Sequence, residues 1–134
     1  MSGETNLTTL IRNMSPVLQA GEFVFSTVKN TDNIPREDSI GEFKEQEGVT
    51  IILDRKKAEQ LNLSYEYIAS WITLKIHSSL DAVGLTAIFS TELAKHEISC
   101  NVISGYYHDH IFVDKKDENK AISVLKKLSK NYEE

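Results

Sequence analysis

The chain has 134 residues, 20 of them acidic and 15 basic, and a net charge of −5. That length makes one domain of about 100–200 residues the default and is enough for a core without staples. The acidic balance argues against nucleic acid or an anionic membrane surface as a partner, the lone Cys100 excludes an internal disulfide, and 40% hydrophobic residues exclude a disordered chain.

Residues 1–15 lack a basic start followed by an apolar run, so no signal peptide is expected. The apolar stretches are a few residues long, far short of the roughly 20 that span a bilayer. The sequence reads as that of a soluble, reduced, cytoplasmic protein. In chain order, Leu7, Leu10, Ile11 and Met14 predict a short amphipathic helix closed by Pro16. Phe23 to Val28 is β-branched and aromatic and predicts a strand. Residues 29–39 hold Pro35, two Asn and two Asp, and read as a loop. Ile40–Lys44 and Val49–Leu53 predict a hairpin whose turn ends on Gly48. Asp54 is placed to cap a short helix over Arg55–Asn62.

The second half carries a stronger pattern. Ser70–His77 alternates Trp71, Thr73, Lys75 and His77 against Ile72, Leu74 and Ile76, which predicts a strand. Residues 80–84 turn into a helix bearing Leu85, Ile88, Phe89, Leu93 and Ala94 at helical spacing, ending near Lys95 and His96. Ser99–Ser104 and Asp109–Val113 predict a hairpin around Gly105-Tyr106-Tyr107-His108. A last helix over residues 117–131 carries Ala121, Val124, Leu125 and Leu128. Residues 70–113 hold six charged residues and the last 21 hold eleven. The first stretch is therefore the expected heart of the fold and the last a solvated helix.

The order β-α-β-β-α predicts an α+β sandwich of ferredoxin-like type with antiparallel sheets. A complete βαββαβ unit needs a fourth strand, which must come from the first half or from another subunit. The first half offers a second copy of the same unit, its first helix shrunk to the 29–39 loop.

Three places carry candidate chemistry. The turn Asp81-Ala82-Val83-Gly84-Leu85 opens a helix, where free N–H groups and the dipole attract an anion. Gly84 would let a ligand approach the backbone; alternatively Asp81 caps the helix and Gly84 eases packing. Along Tyr107-His108-Asp109-His110 two histidines one residue apart point the same way, as metal ligands can, with His77 as a candidate third. Asp109 would project to the opposite face. No second Cys or ligand-spaced carboxylate accompanies the pair, so a polar hairpin tip is the plainer account. Cys100 reads as a small buried hydrophobe.

The run Ile72–His77 through Asp81-Ala82-Val83-Gly84-Leu85-Thr86 to Glu97-Ile98-Ser99-Cys100-Asn101-Val102-Ile103 resembles the ACT domain, with Glu97 where Gly is usual. The block Ser104–Val113 resembles the hairpin of short tandem-ACT proteins. The resemblance divides the chain into a degenerate ACT-like unit with a leading helix, 1–66, and a C-terminal ACT domain, 67–134. It implies a regulatory or sensor module, not an enzyme, that binds a small amino acid at a domain or dimer interface. Ala82, Val83, Gly84 and Leu85 would offer backbone contacts, and Asp81 and Asp109 would hold an ammonium or cationic group. Tyr107 and His108, which match no fixed ligand set of the family, are placed in the same candidate site. A homodimer is expected; no cofactor, nucleic acid or membrane partner is. A ligand-free dimerisation module and a metal-dependent hydrolase built on His77, His108 and His110 are the alternatives.

Overall fold

The computed structural model describes residues 6–76, 80 and 82–133. Contacts divide the chain into two compact units: the described parts of Met1–Gln19 and Trp71–Glu134 form one, the split unit, and Ala20–Ser70 the other, the central unit.

The central unit runs β2 (Phe23–Val28), a 3-10 turn (Arg36–Asp38), β3 (Ser39–Lys44), β4 (Val49–Asp54), α2 (Arg55–Gln60) and the first residues of β5 (Ile68–Lys75). All pairings are antiparallel, in the order β3-β4-β2-β5. The Asp54 carboxylate accepts from the Lys56 N–H at 2.8 Å, so the predicted cap starts α2. The helix ends in a Schellman pair, Leu63 N–H to the Ala58 carbonyl and Asn62 N–H to that of Glu59, with Asn62 at φ +56°. Val24, Ile51, Leu53 and Ala58 form the core on the helix side. The place of a first helix is taken by residues 29–38, whose one regular element is the 3-10 turn, as the loop reading predicts.

The split unit contains α1 (Leu7–Arg12), β1 (Ser15–Leu18), the rest of β5, α3 (Leu85–Lys95), β6 (Asn101–Ser104), β7 (Asp109–Asp114) and α4 (Glu118–Asn131). Its strand order is β1-β5-β7-β6. Counted from each unit's own first strand, both units have the same order, second-third-first-fourth, that of a ferredoxin-like βαββαβ sheet. The fourth strand missing after α4 is β1, paired antiparallel from Ser15 opposite Lys75 to Leu18 opposite Ile72. The first half thus supplies it. Pro16, which the pattern marks as the end of a helix, lies within β1; a strand this short with a proline is tolerated because β1 is an edge.

One core joins the pieces of the split unit. Leu10, Ile11 and Met14 pack with Ile72, Leu74 and Ile76 of the β5 region, Leu85, Phe89 and Leu93 of α3, Ile111 and Val113 of β7, and Ala121 and Leu125 of α4. The Ser129 hydroxyl lies 3.1 Å from both the Arg12 and Met14 carbonyls, and Arg12 Nε donates to the Tyr132 carbonyl at 3.0 Å. The end of α3 forms a second Schellman pair, Ile98 N–H to Leu93 and Glu97 N–H to Ala94, with Glu97 at φ +60°. The usual Gly at that position now has a physical reason: the backbone is left-handed there. Among the described residues, no helix is long and apolar enough to cross a membrane.

Candidate functional site

The sequence places its site on the β5–α3 connection and on the β6–β7 hairpin. The structure brings these together at one end of the split unit: the Ile76 N–H at the end of β5 donates to His108 Nδ1 at 3.3 Å. A backbone N–H can only donate, so His108 accepts on Nδ1 and in its neutral form carries its proton on Nε2.

From β5 the chain leads into α3, whose N-cap is Gly84 at φ +92°, ψ −8°. A glycine offers no side chain to cap the helix, so its first N–H groups are served by none from that position. A Cβ at Gly84 would stand 3.4 Å from Leu7 Cδ2, so packing and backbone geometry both favour glycine there. Asp81, read as a cap or an ammonium ligand, lies outside the described residues, as does His77. Ala82 packs against the core and Leu85 is buried in it, which leaves their backbones as the groups free to serve a ligand. Val83 is 86% exposed.

On the hairpin, Gly105 N–H donates to the His108 carbonyl at 2.9 Å, closing the turn. A Cβ at Gly105 would meet that carbonyl at 2.8 Å and His110 Nε2 at 3.2 Å. Tyr106 and Tyr107 project from the tip in edge-to-face contact, 5.1 Å between centroids, and both are largely exposed. Asp109 follows as the first residue of β7. It is 7% exposed and alternates with the core residues Ile111 and Val113. Desolvation raises its pKa above the usual 3.8, against the lowering effects of a hydrogen bond with Ser104 and of His110 and His108.

His110 points to the other face, with Phe112. Its Nδ1 accepts from Trp71 Nε1 at 3.1 Å, and Thr73 Oγ1 lies 3.1 Å from the same nitrogen. Gln19 Nε2 donates to that hydroxyl at 3.0 Å. Burial lowers the His110 pKa below 6.5; His108 adds to this and Asp109 opposes it. The two histidines therefore serve separate partners, one on the backbone and one on an indole. Among the described residues no three metal-ligating groups cluster. The Gln19-Thr73-His110-Trp71 chain was not foreseen from sequence, because its members meet only once β1 lies on β5. Cys100 is half-buried and burial pushes its thiol up to about 11, in keeping with an inert role.

Sequence models of the ACT domain match the chain twice in tandem, over residues 2–70 and 66–127. The chain belongs to the ACT domain family. Among solved structures it is similar to a Vibrio cholerae protein of unknown function described as a possible transport protein, at 46% identity and TM-score 0.82, over 92% of this chain and 95% of that one. It shares the fold of the regulatory subunit of aspartate kinase from Thermus thermophilus, at 6% identity and TM-score 0.57, over 84% and 95% of the two chains. It also shares that of E. coli aspartokinase III in complex with aspartate and ADP, at 10% identity and TM-score 0.61, over 84% of this chain and 32% of that one. No curated protein matches the chain significantly. ACT domains are regulatory modules, and the tandem ferredoxin-like architecture is the one the sequence predicts.

Proposed function

We propose that this ACT-domain chain is a non-catalytic sensor that binds a small amino acid at the end of the split unit where the hairpin meets the end of β5. As sequence repeats the modules are 1–66 and 67–134; as folded units, residues 6–19 pack with the second. The observation that carries the reading is the buried Asp109 carboxylate at the end of the sheet that the Ile76–His108 bond ties to the β5–α3 connection. A buried carboxylate suits an ammonium group, and the backbone N–H groups of residues 82–85 suit the ligand's carboxylate. Asp81, Tyr107 and His108 complete the proposed contacts. The chain is proposed to work as a homodimer, supported by the unpaired outer edges of β3 and β6 within their units. Ligand binding would then favour one arrangement of the assembly through its differential contacts.

Thermal unfolding of the full chain against each of the twenty amino acids tests the proposal. At least one should raise the melting temperature, since a ligand at a hundred times its Kd adds about 2.7 kcal/mol. Asp109→Asn should abolish that rise while itself melting higher than the parent at pH 7, because it removes a buried charge and keeps a partner for Ser104. No shift with any amino acid at millimolar concentration overturns the reading.

A further inference from the structure

In the central unit the segment 29–38 stands in place of the helix that would follow its first strand, and Ile34 from that segment packs against the core. On β3, Glu42 stands opposite Ile51 and Ser39 opposite Leu53, so both occupy the helix-side face. In the split unit the corresponding connection is the 11-residue α3; here it is the Arg36–Asp38 turn. The result is a recess of about 300 Å³ lined by Arg36, Ser39, Ile40, Gly41 and Glu42.

The recess has a fixed frame. The turn that carries Arg36 is tied to α2 by Lys57 Nζ, 3.7 Å from Asp38 Oδ1. The bulge between Ser39 and Gly41 is held by Ser39 Oγ donating to the Gly41 carbonyl at 3.1 Å. Asp38 is thus already paired, whereas among the described residues neither the Arg36 guanidinium nor the Glu42 carboxylate has a hydrogen-bond or ion-pair partner. They do not pair with each other either. One cation and one anion line the same hollow, with Ile40 supplying an apolar wall. A lone anion would be repelled by Glu42 and a lone cation by Arg36. A zwitterion satisfies both, its carboxylate on Arg36 and its ammonium on Glu42.

We propose that this recess is a second ligand site, separate from the one at the end of the split unit, for a small aliphatic amino acid. Both charges face water, so each contact is weak and the affinity lies in the range of tens of millimolar, about 10–50 mM.

The test is amide chemical-shift mapping of the ¹⁵N-labelled full chain with L-valine as the probe. L-valinamide and N-acetyl-L-valine, each lacking one of the two charges, are the controls. L-valine should shift the Ser39, Ile40 and Gly41 amides saturably, and the two controls should not. Arg36→Gln and Glu42→Gln, at exposed positions where folding is unaffected, should each weaken the effect about fivefold. Asp109→Asn should leave it unchanged, so failure of the first site and failure of this one show at different residues. Absence of saturable shifts at residues 39–41, or equal shifts with either control, overturns the proposal.

Discussion

The indole N–H of Trp71 donates to Nδ1 of His110 at 3.1 Å, joining β5 to β7 on the face away from the helices. Because indole can only donate, this bond requires His110 Nδ1 to be bare, and protonation of the ring breaks it. Trp71 is the chain's single tryptophan and therefore reports the event alone.

The pH dependence follows with its sign. Burial holds the His110 pKa below 6.5 in the folded state, so the unfolded chain takes up that proton first. The stability associated with the neutral ring is present above pH 6.5 and is lost as pH falls through the folded-state value. Asp109 acts oppositely: its raised pKa gives stability that is present below 3.8 and lost as pH rises through its folded-state value. A fluorescence titration of the native protein should show a Trp71 transition below pH 6.5. His110→Asn, which keeps an acceptor near the Nδ1 position but cannot titrate, should lack it. A transition unchanged in that variant would show that another group is responsible.

Deleting residues 1–19 should unfold the split unit. It removes Leu10, Ile11 and Met14 from the core and strips β5 of β1. At about 1.5–3 kcal/mol per buried side chain, the loss rivals the 5–15 kcal/mol by which whole domains are stable. Circular dichroism and proton NMR of the truncated chain check this; native-like dispersion from residues 71–133 would contradict it.

Two left-handed positions should respond to substitution in opposite directions. Glu97→Gly relieves a side chain held at φ +60° and should stabilise by about 0.5–1 kcal/mol. Gly84→Ala puts a Cβ at φ +92° beside Leu7 and should destabilise by about 1–2 kcal/mol. Urea midpoints at a common slope measure both.

Cys100 should react with a thiol reagent far more slowly in the native protein than in denaturant. With its pKa near 11, about one molecule in a thousand is thiolate at pH 8. Rapid native labelling would mean that the thiol is more open than its packing against the core shows.

The periodic elements were readable because burial wrote them into the sequence. Ile72 and Leu74 on β5, Ile76 just after it, and Leu85, Phe89 and Leu93 on α3, reach the core as their spacing predicts. The topology followed, with the missing strand recognised but left between two sources. β1 escaped because a four-residue edge strand has no room for a period, and Pro16 reads first as a helix stop. At the site, alternation placed Asp109 and His110 on opposite faces correctly. It could not show that His108, just outside β7, reaches the Ile76 backbone, or that Trp71 occupies His110. The Arg36–Glu42 recess was invisible, since it arises from a helix that is absent.

The N-terminal edge strand also sets an order of assembly. On the ribosome, residues 20–70 can complete a sheet with local pairings soon after they emerge. Residues 6–19, made before the rest of the split unit, must wait with their apolar side chains uncovered until β5, β7 and α4 exist, since their contacts are long-range, from Leu18 paired with Ile72 to Arg12 bonded to Tyr132. Those contacts carry a large loop-closure entropy and form late. Residues 6–19 therefore fold only after the later-made residues 71–133, and during that interval Leu10, Ile11 and Met14 are the surface a chaperone would meet.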